Sequence, residues 1–213
     1  MPQRGKSGAL HGRRIKAPRR RRQTATNRRA SAKTAVTPAQ IVSFWRAAGP
    51  KKWWKKDAAF DRTIRLRFMA MHEAAARSEL ASFEDSAEGA LALVILLDQF
   101  PRNMFRGSPH AFATDPLARA VASRALARGF DQAIDASMRP FFYMPFMHSE
   151  TLADQERCVA LHAAFGDAGR SHHATVHRDI IAKFGRFPHR NRALGRDTTP
   201  QEQEFLDGGG FAG

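Results

Sequence analysis

The chain has 213 residues, of which 43% are hydrophobic, and it carries 35 Lys and Arg residues against 20 Asp and Glu residues. This hydrophobic content is enough for one folded domain, which excludes a chain that is disordered throughout. Its single cysteine, Cys158, excludes an internal disulfide and is typical of a reducing compartment, so we expect a cytoplasmic protein.

The apolar segments are short. The longest strongly apolar run, residues 90–97, is far below the roughly 18 residues that a membrane span needs. No apolar stretch follows the basic residues at the start of the chain, so the sequence predicts neither a membrane span nor a secretory signal.

The positive charge is concentrated in the first 37 residues. Residues 1–37 contain 12 of the 35 basic residues and none of the acidic ones, which leaves 23 basic against 20 acidic residues in the rest. We therefore predict a disordered cationic tail at 1–37, because few apolar residues are present to form a core. Such a polycation binds nucleic acid weakly and without sequence preference. An incidental extension is the alternative interpretation.

Helix signals follow the tail and predict an all-α domain over residues 38–213. The sequence TPAQ at 37–40 is a capping box with proline at the first helical position, and Asp57 can cap the next helix. A nearly all-apolar stretch at 87–100 predicts a buried central helix. No run alternates well enough for a strand. Further helices are predicted at 115–129, 149–165 and 172–184, and after Thr199.

Two Phe-Pro pairs are each followed by basic residues and an asparagine: FPRN at 100–103 and FPHRN at 187–191. Proline stops a helix and restricts the residue before it, so both pairs predict helix exits that aim polar side chains at fixed angles. Capping of the last helical carbonyls is the alternative role. Together with HSE at 148–150, these exits indicate a shared polar centre.

Three long segments resemble the hallmark motifs of the domain of unknown function 924 family: LDQFPRNMFRGSPHAFATDPLAR (97–119), RPFFYMPFMHSE (139–150) and FGRFPHRNRALGR (184–196). The resemblance extends over about residues 38–207 and includes FW at 44–45 and the WW…D…FD pattern at 53–61. It implies an all-helical, TPR-like array whose biochemical role is uncharacterised. Ser78 and Phe83 depart from the glycine and tryptophan usual in that family.

The polar residues at these motif positions are the predicted ligand site. They are Asp98, Gln99, Arg102, Asn103, Arg106, His148, Ser149, Glu150, Gln155, Arg186, His189, Arg190 and Asn191. Arginine and histidine outnumber the two carboxylates in this set, and arginine binds carboxylates or phosphates bidentately. The set therefore predicts a small anionic ligand.

His148 and Glu150 are the candidates for acid–base catalysis, because histidine titrates near neutral pH and burial raises the pKa of a carboxyl group. The sequence contains neither an activated nucleophile nor a glycine-rich phosphate loop beside them, and it predicts no cofactor. His173 and His177 are four residues apart, but no glutamate follows as in H-E-x-x-H. We expect His172, His173 and His177 on a solvated face and predict no metal site.

Three function classes remain open from the sequence. The leading one is an anion-binding protein, with enzymatic activity undecided. A TPR-like scaffold that binds a peptide or protein partner in its groove is the second. The third is a nucleic-acid-associated protein that uses its tail. A closed pocket favours the first class, an open apolar groove the second, and salt-sensitive DNA binding the third.

Overall fold

The computed structural model describes residues 36–166 and 168–211, together with Pro2. The described residues contain helices and turns but no strand, so the predicted all-α class is confirmed. The predicted cationic tail lies outside them, apart from residues 2, 36 and 37. The α-helices are α1 (Pro38–Ala48), α2 (Pro50–Trp53), α3 (Ala58–Ala76), α4 (Ala87–Val94), α5 (Phe100–Met104), α6 (Asp115–Ala127), α7 (Met144–Met147), α8 (Leu152–Phe165), α9 (Ala168–Phe184), α10 (Asn191–Leu194) and α11 (Pro200–Asp207).

The predicted helix starts agree with the structure where a side-chain cap marks them. Thr37 and Thr199 each form a complete capping box, in which the threonine hydroxyl accepts from the third helical N–H. Asp57 accepts hydrogen bonds from the N–H groups of Ala59 and Phe60 at the start of α3. These side chains satisfy N–H groups that have no partner within the helix, and so they fix where each helix begins.

The core forms around α4, which is buried from Gly89 to Val94 and packs against α1 and α6. Trp45 from α1 is fully buried and makes edge-to-face contacts with Phe100 and Phe141. Cys158 is also buried, and burial raises the pKa of its thiol to about 12. Cys158 is thus a small core residue, as its apolar neighbours in the sequence predict.

The TPR-like arrangement is not confirmed. Helix α4 contacts elements both before and after it in the chain, from α1 to α6 and the 3-10 helix Arg139–Phe142. Units of a TPR-type array contact only their sequence neighbours. This central-helix packing instead brings distant segments of the chain together at one side of α4 and α5.

Ser78 is the one residue other than glycine with a positive φ among the described residues, at 59°. This left-handed conformation favours glycine, the residue that the resemblance implies at this position. Ser78 therefore holds a strained backbone conformation in the turn between α3 and α4. None of the helices in the described part of the chain has the length and hydrophobicity to cross a membrane.

Candidate functional site

A cavity of about 990 Å³ lies where the three long motifs meet. Residues from α5, α7 and α9 line it, together with the segments that flank these helices. Several residues of the predicted ligand site contribute to its wall: Gln99, Arg102, Asn103, Arg106, His148, His189 and Arg190. The other predicted residues lie behind this wall or away from it.

A π-helical turn at Ile95–Gln99 positions the polar end of this cavity. Pro101 follows the turn and has no N–H to donate to the carbonyls before it, while the Phe100 N–H donates to the carbonyl of Ile95. The helix therefore widens by one residue and continues to Met104. The predicted helix exit at the first Phe-Pro pair is wrong for this reason.

Side chains replace the backbone donors that the π turn lacks. A carbonyl oxygen only accepts, so each side-chain nitrogen or hydroxyl in these contacts is the donor. The three contacts are His72 Nδ1 to Leu96 O (2.9 Å), Thr114 Oγ1 to Leu97 O (2.5 Å) and Arg102 Nη1 to Asp98 O (2.7 Å). Contacts from α3 and from the residue that caps α6 therefore hold the π turn in place. The turn in this way fixes the position of Asp98.

Asp98 is fully buried beneath the cavity wall and binds His148. His148 Nδ1 lies 2.8 Å and 3.0 Å from the two carboxylate oxygens, and Gln99 Nε2 donates to Oδ2 at 2.5 Å. Burial opposes ionisation of Asp98, but the charge of Arg102 and the bonds from His148 and Gln99 outweigh it and lower the carboxyl pKa to about 2. Asp98 is therefore ionised at neutral pH.

His148 is neutral at neutral pH, because burial and the charge of Arg102 lower its pKa. Its Nδ1 proton is donated to the Asp98 carboxylate, which only accepts. The Nε2 atom then carries a lone pair, and the hydrogen bonds that His148 forms within the described part of the chain are made by Nδ1. His148 lines the cavity and presents a basic nitrogen there.

Asp115, at the start of α6, pairs with two guanidinium groups of the cavity wall, closely with that of Arg102 and more distantly with that of Arg190. Arg102 binds it bidentately, with both Nη–O distances at 2.9 Å. Arg190 Nη1 lies 3.8 Å from the same carboxylate. One carboxylate thus serves two cations, and Arg102 also lies 3.2 Å from Asp98 Oδ1. Asp115 was predicted only as the first residue of the helix at 115–129, so its part in this ion-pair cluster was missed.

Arg190 is a buried cation with incomplete pairing. Its guanidinium lies between the rings of Phe112 and Phe187, 4.7 Å and 4.5 Å from their centroids. Its Nε is buried without a hydrogen-bond partner. Burial and the neighbouring charge of Arg102 lower its pKa to about 10, so the group stays charged at neutral pH.

Two further imidazoles, His177 and His189, line the cavity beside Arg190. His177 Nδ1 donates to the carbonyl of His173, and the rings of both His177 and His189 contact Phe211. Burial lowers the pKa of His177 to about 4 and that of His189 to about 3. The prediction that His177 lies on a solvated face is wrong, because α9 turns this residue inward.

Another part of the cavity wall is apolar. Trp53, Trp54, Phe141 and Met144 line it. The Trp53 ring packs edge-to-face on Phe141 at 4.9 Å, and the Trp54 ring stacks on Phe141 at 6.2 Å. Trp54 remains 56% exposed, which is unusual for so large an apolar side chain. The cavity therefore has a cationic end and an aromatic end.

Glu150 does not pair with His148 as the sequence suggested. Its carboxylate accepts hydrogen bonds from the Phe187 N–H at 2.9 Å and from Arg196 at 2.7 Å and 3.0 Å. Arg196 lies 46 positions after Glu150 in the chain, so this ion pair links two distant segments of the domain. The carboxylate partner of His148 is Asp98 instead.

Other predicted site residues also hold loops rather than line the cavity. Gln155 is fully buried and donates to the carbonyls of Met147 and Ser149. Ser149 donates to Asp154 at 2.6 Å. These contacts fix the turn that carries His148.

The carboxyl-terminal part of the predicted set surrounds Glu202. Arg186 binds the Glu202 carboxylate bidentately at 2.6 Å and 2.9 Å, and Asn191 Nδ2 donates to it at 3.2 Å. The same carboxylate completes the capping box of α11. Arg186 and Asn191 therefore anchor α11, and the segment between them carries His189 and Arg190 into the cavity.

Asn103 and Arg106 line the cavity but are tied to Asp61 of α3. Asn103 Nδ2 lies 2.8 Å from Asp61, and Arg106 binds it at 2.6 Å and 3.1 Å. Asp61 belongs to the WW…D…FD pattern, which was the available signal for this partner. No group of three or more metal-ligating side chains converges within residues 36–166 and 168–211.

Comparisons with known proteins agree with this fold. The model of the family described as bacterial protein of unknown function, DUF924, matches residues 41–210. A solved structure of a protein of unknown function from Agrobacterium tumefaciens shares 53% identity, with a TM-score of 0.78, and the match covers 80% of this chain and 97% of that one. No curated protein matches the chain. With the family model spanning most of its length, the chain belongs to the DUF924 family of bacterial proteins of unknown function.

Proposed function

We propose that this protein binds a small organic anion in the cavity, with the anionic group at Arg190 and the apolar body at the aromatic end. The described residues that line the cavity include basic residues and imidazoles, but no aspartate or glutamate. The carboxylates that neutralise Arg102 and Arg106 lie behind the wall. An anion entering the cavity therefore meets basic side chains at the wall, with the carboxylates behind them.

Arg190 carries this proposal. Its guanidinium has a lowered pKa, and its Nε is buried without a hydrogen-bond partner. Its Nη1 lies 3.8 Å from the Asp115 carboxylate, which already binds Arg102, so Arg190 lacks a full counter-ion. Arginine presents a planar fork that fits a carboxylate or phosphate with two parallel hydrogen bonds. A bound anion would supply both the charge and the acceptors.

The aromatic end indicates an organic ligand rather than an inorganic ion. A volume of about 990 Å³ is at the upper end of the range that drug-sized ligands occupy. Trp53, Trp54 and Phe141 offer flat surfaces against which a ring or aliphatic body can pack. An aromatic carboxylate such as benzoate combines the two required features and serves as a probe.

The test is calorimetric titration of the protein with benzoate, benzamide and phosphate. Benzoate should bind, and its uncharged isostere benzamide should bind at least tenfold more weakly, because only the carboxylate engages Arg190. Arg190→Met should abolish benzoate binding. Arg192→Met, at an exposed position two residues away, should leave it unchanged.

Two results would oppose the proposal. Equal affinity for benzoate and benzamide would show that the charge is not recognised. Benzoate binding that survives in Arg190→Met but is lost in Arg192→Met would place the site elsewhere. No specific contact in the described residues favours the peptide-scaffold or nucleic-acid alternatives, which stay predictions.

A further inference from the structure

We propose that Asp98 and His148 form a general base that activates a water molecule to hydrolyse an ester of the organic anion bound at Arg190. This inference rests on the proposed anion site and adds a reaction to it. It concerns a different part of the cavity wall from the guanidinium of Arg190, so the two can be tested separately.

Asp98 orients His148 for a role as a base. The Asp98 carboxylate takes the Nδ1 proton at 2.8 Å, which fixes the tautomer and leaves the Nε2 lone pair at the cavity. A carboxylate that orients an imidazole in this way also stabilises the imidazolium that forms when Nε2 accepts a proton. This is the arrangement that general-base catalysis requires.

Asp98 has other partners that stabilise its charge besides His148. Arg102 lies 3.2 Å from its carboxylate, and Gln99 donates to it at 2.5 Å. His148 is 12% exposed at the cavity wall, so its second nitrogen is open to water or to a ligand rather than bound within the described part of the protein. The rigid π turn beneath Asp98 further limits movement of the pair, as preorganised catalytic groups require.

The residues that line the cavity limit which group can attack the ester. The cavity wall has no serine, threonine or cysteine within the described part of the chain, and Cys158 is not part of it. Water is therefore the nucleophile that a base at His148 can activate directly. Arg102 is 19% exposed at the wall, and those of its five N–H groups that Asp98 and Asp115 do not use can donate to the oxyanion that develops.

The reaction then balances with water as its only co-substrate. His148 Nε2 accepts one proton from water as the water oxygen bonds to the acyl carbon, and the carbonyl electron pair moves to oxygen. When the oxyanion collapses, the bond to the leaving alkoxide breaks, and the imidazolium returns the proton to that oxygen. The products are a carboxylic acid and an alcohol, and His148 is again neutral.

The experiment measures hydrolysis of the mono-para-nitrophenyl ester of glutaric acid, which bears a free carboxylate, against the neutral para-nitrophenyl butyrate. We expect turnover of the anionic ester to exceed that of the neutral ester. The rate should rise with pH and level off with a midpoint below 6.5, because burial and Arg102 lower the pKa of His148. Release of para-nitrophenol should show no burst, since no covalent intermediate forms.

Variants separate catalysis from binding. His148→Gln should lower kcat by about 100-fold or more while benzoate still binds. The matched control His172→Gln replaces an exposed imidazole of α9 and should leave the rate unchanged. Asp98→Asn tests the positioning role: we expect a lower kcat, a KM close to that of the wild type and an altered pH profile. If this variant does not fold, His148→Gln decides the question.

Three outcomes would overturn the inference: no hydrolysis above the solution rate, equal rates for wild type and His148→Gln, or a burst of para-nitrophenol. If any of these occurs while benzoate still binds at Arg190, the catalytic inference fails and the anion site stands. If benzoate does not bind, the proposed function fails first.

Discussion

Replacement of Arg190 by methionine separates a ligand site from a structural ion-pair network. In a structural network, removal of one partner of a buried pair typically costs about 3–5 kcal/mol of stability. Here Arg190 lies 3.8 Å from the Asp115 carboxylate, which already binds Arg102. Removal of the Arg190 charge should therefore not lower the free energy of unfolding by that amount.

The magnitude follows from the environment of the guanidinium. Burial beside Arg102 lowers the pKa of Arg190 from 12.5 to about 10, and a tenfold change in proton affinity corresponds to about 1.4 kcal/mol, so the charged form costs roughly 3 kcal/mol. This cost is present at every pH below about 10 and is relieved only above it. Contacts of the cation with two aromatic rings offset about 1–2 kcal/mol. Methionine keeps apolar contact with those rings.

Arg190→Met should therefore leave the free energy of unfolding unchanged or raise it by up to about 2 kcal/mol. Urea unfolding followed by tryptophan fluorescence at neutral pH, without added anions, measures this. Arg192→Met is the control for loss of a surface charge. A loss of 3 kcal/mol or more in Arg190→Met alone, on the order of a broken buried pair, would refute the reasoning.

Three further predictions concern stability. Because burial lowers the pKa of His177 to about 4 and of His189 to about 3, both imidazoles take up protons only in the unfolded chain between pH 6.5 and 4. The free energy of unfolding should therefore decrease as the pH is lowered through this range, by up to about 1.4 kcal/mol per pH unit for each imidazole. A variant with both histidines replaced by glutamine should show a smaller dependence of this free energy on pH in urea titrations. Asp115→Asn should cost about 3 kcal/mol by the same assay, because it removes the charge opposite two guanidinium groups, and a loss below about 1 kcal/mol would contradict the ion-pair cluster. Ser78→Gly should raise the free energy of unfolding by about 0.5–1 kcal/mol by relieving a left-handed φ of 59°, and an unchanged or lower value would show that no strain is present.

Local chemistry made the helix starts predictable. The caps at Thr37, Asp57 and Thr199 act within three residues of their own position, so the sequence contains everything that is needed to recognise them. The buried helix at 87–94 was predictable for a similar reason, since it is apolar on all sides.

The π turn could not be predicted in this way. A proline after an apolar helix normally indicates the end of the helix. Here the helix continues, because the side chains of His72 and Thr114, which come from other parts of the chain, donate hydrogen bonds to carbonyls of the π turn. Those partners lie 24 and 17 positions away, at separations that no local pattern reveals. The position of Asp98 beneath His148 depends on this turn, so the pairing of Asp98 with His148 could not be predicted either.

The candidate site was predictable in its composition but not in its pairing. The motif residues Arg102, His148 and Arg190 do line a shared cavity. Glu150 was grouped with His148 because the two are close in sequence, whereas its partner Arg196 is distant and shows no spacing signal. His177 was missed because α9 has few apolar residues to mark its inward face.

The most direct measurement is a crystal structure of the protein with para-bromobenzoate, located by the anomalous signal of bromine. We predict a carboxylate within hydrogen-bond distance of the Arg190 guanidinium and a bromine peak toward Trp53 and Phe141. A bromine peak outside the cavity, or a ligand whose carboxylate points to the aromatic end, would contradict this prediction.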